Sequence, residues 1–541
     1  MSFKKVFAIG CFASVVLLLA SYVTSARTVG AYFTSITDFI DSLPLTYYIG
    51  YYLTITLLVI YALKLKGKPT LYAPLLLLLF ALFVDFPRCI FTYPFQRDVF
   101  HQAQIFHLLS YNTFSGIPAP RENVANPIFW SIFIKITALE PFLTVLYFAP
   151  TFLWLLTILC LFVVIRRISG SYRVFVSTFF FLAFFFELFF ASRYAYASPL
   201  FVLFTGLLIE SFMRPSRPIS VLLILLTLAI VTAHVGYSTM VLVVTITIAS
   251  LVTWHKFRGS LVGEHARIRA WNIALFLFAV YGFWYFVQEV RFHGIKIWFN
   301  AFIDALCGGF LKFRLIKAVY RLPLEPAYKL IVGIRIIMIL FVTIIPTLLA
   351  ILQIFKSIHT KMDAGKIILV EVAVSYFLFL IPLGIGVIES IWSLRPFHIL
   401  MLFSPILVAL LFPRKLFRPL VIVTMLFSLI TIYILWIPNL GYIQVPNEKA
   451  ALIKFVSVYI PRHQTIKAIG TGWMEQTLLT HIFSSRIDLK LSSICDVLSH
   501  NWKYVETFNM HYVMVDPSIE KYEVKYLCLS LIHISEPTRP L

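Results

Sequence analysis

Arg97 and Asp98 stand side by side in Tyr93–His107, a segment that also carries His101, His107 and three glutamines. It directly follows a mostly apolar run, Leu71–Phe91. A charge at the centre of a membrane helix costs about 3 kcal/mol, so a cluster this close to hydrocarbon calls for a role. A carboxylate at a membrane edge is suited to take a proton from an acceptor hydroxyl or amide as a new bond forms. Arg97 can keep that carboxylate ionised, or match phosphate oxygens bidentately. Asp98 is equally suited to N-cap a helix over 99–109, a role that contributes about 1 kcal/mol. The two roles are compatible.

Two more basic features accompany it. Lys312-Phe-Arg314-Leu-Ile-Lys317 interleaves bases with apolar residues, as an interfacial helix touching lipid headgroups would. It belongs to a loop with Arg291, Lys296, Arg321 and Lys329, opposed by Asp304 and Glu325. Such a loop either cradles an anionic phosphate or is simply a solvated helix. Arg395, in Trp392–His398, either snorkels to the membrane edge or contacts a phosphate. His234 and His398 are as well explained by packing. Asp85, Glu187, Glu210, Glu371 and Glu389 are acids in or near apolar runs, ranked below Asp98. Arg88 lies one helical turn after Asp85, and Arg193 is a partner for Glu187 if both face the bundle interior.

The elements that position these residues are membrane helices. The chain has 541 residues, 60% of them hydrophobic and 13% charged, against about 25% charged in soluble domains. Its mean hydropathy is +0.90. Apolar stretches long enough to cross a bilayer recur over 6–24, 44–63, 71–91, 142–165, 174–191, 195–213, 219–236, 238–254, 271–290, 331–355, 367–389, 396–411 and 419–437. The expected fold is an all-α polytopic membrane protein of about thirteen transmembrane helices. The span 71–91 is expected to end early, near Val84, because Asp85 and Arg88 fall in its last turns.

Alternate linkers are basic: Lys4/Lys5, Lys64/Lys66/Lys68, Arg166/Arg167/Arg173, Arg214/Arg217, Lys256/Arg258/Arg267/Arg269, Lys356/Lys361/Lys366 and Arg414/Lys415/Arg418. The positive-inside rule puts that face in the cytoplasm, so the formal charge of +21 mainly records topology and is no nucleic-acid footprint. The amino terminus is then cytoplasmic, and Val6–Thr24 reads as an uncleaved signal anchor. The protein is expected in the plasma membrane as a multi-pass protein. The six cysteines are scattered with no C-x-x-C pair, so neither a metal knuckle nor a disulfide framework is indicated.

Three pieces fall on the outer face: loops 92–141 and 291–330, and everything after Pro438. The first loop should hold an amphipathic helix, a Gly/Pro turn at Ser115–Pro120 and a short apolar helix starting at Pro127. After the last span, Thr465–Gly470 and His511–Asp516 look like strands, with helices at Asn447–Tyr459 and Met474–Phe483. This alternation predicts a small extracytoplasmic α/β domain over 438–526. The final string SLIHISEPTRP resembles translated sequencing-adapter read-through, so 527–541 are expected to be non-native and the domain truncated.

A membrane helix leading into an outer loop with an R-D-x-x-H core, then an amphipathic helix and an Asn-Pro-led short helix, resembles the first outer loop of GT-C-type membrane glycosyltransferases. Here the matching stretches are Gln96–His107, Asn126-Pro127-Ile-Phe-Trp130 and the span from Phe142. The resemblance runs loosely over 71–526, with 1–70 as two additional helices before a core of 71–437. It implies inverting transfer of a sugar from a polyprenyl-phosphate carrier on the outer face, with Asp98 as base. Arg97 and His101 would bind substrate, as would Lys312, Arg314, Lys317 and Arg395, the last near the lipid phosphate. The partners implied are the lipid-linked donor, a glycan, lipid or protein acceptor, and membrane lipids.

There are departures from the pattern. Asp98 is followed by Val99 where protein-mannosylating members carry a second acid, and the W-W-D-type signature of oligosaccharyltransferases is absent. A lone acid also weakens the case for a hard divalent ion, which prefers several oxygen ligands, so a divalent metal is only weakly supported and no cofactor is assigned. The competing readings are a transporter or flippase, an O-antigen-type polymerase and a membrane scaffold. A transporter would show paired repeats and mid-membrane polar residues; here the polar groups gather at the outer surface.

Overall fold

The computed structural model describes residues 3–25, 36–64, 72–89, 105, 108–109, 125–139, 144–169, 171–184, 193–213, 216–257, 264–286, 395–436, 466–469 and 512–515, with scattered helical residues between 330 and 352. The helices run α1 (Phe3–Ser25), α2 (Ile36–Ser42), α3 (Leu45–Lys64), α4 (Tyr72–Asp85), α5 (Ala125–Thr137), α6 (Ala149–Ser169), α7 (Ser171–Phe184) and α8 (Arg193–Met213). They continue as α9 (Arg217–Ala233), α10 (Val235–Phe257), α11 (Glu264–Phe286), α12 (Arg395–Leu411), α13 (Phe417–Ser428) and α14 (Thr431–Trp436). Helices thus lie in eleven of the thirteen expected spans. Four of them, Lys5–Ser25, Leu45–Lys64, Ala149–Ser169 and Ala195–Phe212, are by themselves long and apolar enough to cross a membrane. The protein is a multi-pass membrane protein. The expected span 367–389 lies outside the described residues.

In hydrocarbon every backbone group must be satisfied within its own segment, which makes the helix the default for these runs. Buried hydroxyls follow the same logic by bonding back one turn: Thr54 donates to the Gly50 carbonyl at 2.8 Å, Thr157 to Leu153 at 2.8 Å and Thr245 to Val241 at 2.7 Å. Small residues allow backbones to close up. A Cβ added at Gly50 would lie 2.4 Å from the Phe83 ring, and one at Gly206 would lie 2.5 Å from the Val164 side chain. These two glycines therefore set the spacing of α3 against α4 and of α8 against α6.

Hydrogen bonds between helices give their directions. Ser21 of α1 donates to Thr46 of α3 at 3.0 Å, and Tyr47 of α3 donates to the Phe83 carbonyl of α4 at 2.9 Å. The Trp436 indole donates to the Val84 carbonyl at 2.8 Å, and Thr431 to the Ala183 carbonyl at 2.8 Å. At the other end, Arg167 of α6 meets Glu210 of α8 at 3.1 Å. Arg173 of α7 donates to the Ala409 and Leu410 carbonyls of α12, both at 3.1 Å, and lies over the Phe417 ring. Arg269 donates to the Ser211 carbonyl, and Trp271 to Thr253 at 2.9 Å. Each bond joins residues that the basic-linker pattern puts on the same face. The described helices joined by these bonds therefore run in the directions that the linker charges predict.

Helix boundaries have identifiable causes, and the early end of the span 71–91 is as expected. The span 71–91 stops being α-helical at Asp85 and continues as a 3₁₀ turn, Phe86–Cys89. Pro87 lacks an amide proton and disfavours the α conformation at Phe86. A π turn, Thr144–Phe148, precedes α6, where Pro150 removes the amide that would bond back four residues. The last expected span, 419–437, is divided into α13 and α14. Between α9 and α10 the chain reverses through His234 alone, in extended conformation with φ −158 and ψ 124. Short α2 was not anticipated.

The strands expected after the last span are present as β1 (Ile466–Ile469) and β2 (Tyr512–Val515), paired in parallel with Ile466 opposite Tyr512. A parallel pair requires a crossover connection. The expected helices at Asn447–Tyr459 and Met474–Phe483, and the residues from 516 on, lie outside the described residues, so the α/β domain as a whole remains an expectation.

Which face is cytoplasmic is testable. A cysteine replacing Ser484 is expected to react with a membrane-impermeant maleimide in intact cells, and one replacing Lys68 only after permeabilisation. Labelling of position 68 from outside would reverse the orientation and move Asp98 to the cytoplasmic side.

Candidate functional site

The carboxyl end of α4 is the root from which the loop carrying Asp98 departs. Its terminal carbonyls run out of amide partners, as at any helix end, and neighbouring side chains supply donors. The Tyr47 hydroxyl of α3 takes the Phe83 carbonyl, and the Trp436 indole of α14 takes that of Val84. Tyr47 also stacks on Phe86, with ring centroids 4.9 Å apart.

Asp85 is the polar centre of this root. Its Oδ1 accepts from Arg88 Nε at 3.0 Å and Nη2 at 2.7 Å, and its Oδ2 accepts from the Thr151 hydroxyl of α6. Asp85 is 7% exposed and Arg88 is 1% exposed. The one-turn spacing suggested this ion pair in the sequence; Thr151 was invisible there because it is 66 positions away. Both carboxylate oxygens are occupied from within the bundle and the group is closed off from water. Asp85 is therefore not accessible to an incoming acceptor, which leaves Asp98 without this rival for the role of base.

Beyond the root, α5 supplies a platform. Asn126, Trp130 and Ile134 bury one face, while Ile128, Ile132 and Ile136 expose the other, Ile136 to 78%. An apolar exposed stripe at helical spacing beside a membrane suits a helix lying in the interface. Ser131 of α5 donates to the Ile105 carbonyl at 3.2 Å, and Ile105 is fully buried. Residues 105 and 108–109 are helical, so the end of the expected helix 98–109 is fastened to α5. Trp130 packs among Phe129, Phe133, Phe148 and Phe152, and its buried indole nitrogen has no hydrogen-bond partner among the described residues. Sequence reasoning did not single it out.

Arg395 is the first residue of α12, followed by Pro396, a residue favoured in a helix's first turn. The far end of α12 receives Arg173 from the start of α7. Since α6 and α7 are joined there and Thr151, at the start of α6, meets Asp85, α12 begins at the same end of the bundle as the root of the Asp98 loop. Positively polarised amides at a helix start favour anions.

Other acids and histidines resolve differently. Glu210 pairs with Arg167 at the opposite end, at 3.1 Å. His234 is buried, and its Nδ1 accepts from the Tyr237 amide at 3.3 Å, which places it in the α9–α10 reversal. Arg97, Asp98, His101, Lys312, Arg314 and Lys317 lie outside the described residues, as do Glu187, Glu371 and Glu389.

No family model matches the chain, and no curated protein matches it. Similar solved structures include two crystal structures, ArnT from Cupriavidus metallidurans bound to undecaprenyl phosphate and the same protein in the apo state. The first is 13% identical, covering 81% of this chain and 89% of that one, with a TM-score of 0.46. The second is 15% identical, covering 84% and 94%, with a TM-score of 0.37. Likeness at this level carries no argument about activity, which has to come from the residues.

Proposed function

We propose that this chain is a GT-C-type membrane glycosyltransferase, moving a sugar from a polyprenyl-phosphate donor to an acceptor on the outer face. The observation that carries the reading is the shared end of the bundle. Arg395 opens α12 at the same end at which α4 releases the Asp98 loop. In the proposed step Asp98 takes the proton from the acceptor hydroxyl or amide. The acceptor atom bonds to the anomeric carbon, and the polyprenyl phosphate leaves with the electron pair of the broken bond. Arg395 and the bases Lys312, Arg314 and Lys317 hold the phosphate, with Arg97 and His101 nearer the sugar. Charge stabilisation on the leaving phosphate and positioning would supply most of the acceleration.

The direct test is the purified protein in proteoliposomes with a panel of polyprenyl-phosphate sugars, following release of polyprenyl phosphate. Release that depends on the protein and on an added acceptor is expected. Failure across the panel, with folded protein, would sink the reading.

A second measurement separates binding from chemistry. Neutralising Arg395, or Lys312, Arg314 and Lys317 together, should raise the apparent donor KM. A hydrogen bond to a charged group contributes about 1.5–3 kcal/mol, equivalent to roughly 10–150-fold. Unchanged donor dependence would reduce these bases to surface charge.

A further inference from the structure

We infer that Asp85, Arg88, Thr151 and Trp436 are positioning residues: a joint at the outer rim that fixes the base-bearing loop against the root of the carboxy-terminal segment. The inference rests on the glycosyltransferase reading. Its four residues all lie among the described residues. Trp436 is the last residue of α14 and is completely buried, and its indole ties the chain entering the carboxy-terminal segment to the Val84 carbonyl. Asp85, the next residue along, is locked on one side to Arg88 and on the other to Thr151 of α6. Two elements distant in sequence, α6 and α14, thus converge on two consecutive residues of α4, shortly before Arg97 and Asp98 in the chain.

The chemistry of the joint argues for placement over stability. A buried ion pair is commonly no more stabilising than apolar residues of the same volume. What it adds is direction: a carboxylate held from two sides by three donors has one orientation, whereas packed leucines tolerate several. The 3₁₀ turn Phe86–Cys89, which contains Arg88, is fixed by the same bonds. The chain is therefore held in place as far as Cys89, the last described residue before the Asp98 loop. In a transfer reaction a displacement of about 1 Å at the reacting groups can cost on the order of 10²-fold in rate, so a joint of this kind should act on turnover while leaving donor affinity alone.

The test uses the full chain in proteoliposomes and three changes: the apolar pair Asp85→Leu with Arg88→Met, Thr151→Val, and Trp436→Phe. For each, kcat, donor KM and the thermal unfolding midpoint are measured. The expected result is a midpoint close to that of the wild type for the apolar pair and a moderately lowered one for Thr151→Val and Trp436→Phe, each of which leaves a buried acceptor without its donor, with donor KM within about twofold and kcat lowered by about 10–100-fold in all three. Trp436→Tyr is expected to recover part of the loss only if its hydroxyl reaches the Val84 carbonyl. Any of the three that folds normally and keeps wild-type kcat overturns the joint. So does a variant in which KM rises and kcat does not fall, since that is binding. If the wild type transfers no sugar, the enzyme reading fails on its own. The joint is then judged by spin labels at Gln96 and Asn439, in a background without the native cysteines. The distance distribution should shift or broaden in Trp436→Phe, and an unchanged distribution would overturn it.

Discussion

Asp98→Asn is expected to yield a normally inserted and normally stable protein in which sugar transfer is lowered by about 10²–10⁴-fold, the usual cost of losing general-base proton transfer. Asparagine caps a helix about as well as aspartate does. The substitution therefore leaves the capping role intact and removes only the base, separating the two roles that the position could play. Quantification in the membrane fraction, unfolding midpoint and transfer rate together decide the matter. Near-normal transfer by Asp98→Asn would make the residue a cap and deprive the glycosyltransferase reading of its central group. The structure sharpens this test indirectly. With Asp85 buried and both its oxygens engaged, no carboxylate at the end of α4 can stand in for Asp98.

Asp85→Ala should be the most damaging single change to the fold at the rim, destabilising the protein by about 3–5 kcal/mol. That is the usual consequence of removing one member of a buried pair and leaving the other charge behind. Arg88 is 1% exposed, and its guanidinium would lose two hydrogen bonds to Asp85 while staying buried. The Thr151 hydroxyl would lose its acceptor as well. Removing both charges should be much milder, so Asp85→Leu with Arg88→Met is expected to recover most of the stability lost by Asp85→Ala. Thermal unfolding in a fixed detergent or bilayer compares the three proteins directly. Equal loss in the single and double variants would mean that the pair itself, and no orphaned charge, stabilises the rim. The opposite end offers a control: Arg167 is 63% exposed in its pair with Glu210, and a pair so open to solvent contributes at most about 1 kcal/mol.

Much of this architecture was legible in the chain because its signals are local. A bilayer demands about twenty apolar residues per helix, and that length requirement is written in each run separately. It is why helices fall in eleven of the expected spans. The charge of the short linkers is equally local, and the contacts that pair Tyr47 with Phe83, Arg173 with Leu410 and Trp271 with Thr253 follow the alternation that it predicts. Strands β1 and β2 were readable from short β-rich runs, and the Asp85–Arg88 pair from one-turn spacing. Asp85 and Arg88 in the last turns foretold an early end to α4, although not the 3₁₀ turn that takes over.

What the chain could not disclose is which distant groups meet. Thr151 looks like any threonine at the start of a span, and Trp436 like any interfacial tryptophan. Only the packing of α4 against α6 and α14 makes one the partner of Asp85 and the other a cap on Val84. The same packing turned Asp85 from a possible base into an anchor, because burial and the saturation of hydrogen bonds are properties of a neighbourhood, and neighbourhoods are set by helix contacts hundreds of residues apart. The sequence by itself determined that the chain crosses the membrane repeatedly, and where, since hydrophobic length and linker charge act residue by residue. The tertiary structure alone decided which side chains meet at the carboxyl end of α4, Thr151 with Asp85 and Trp436 with Val84, since only close packing converts alternation along a chain into contact in space.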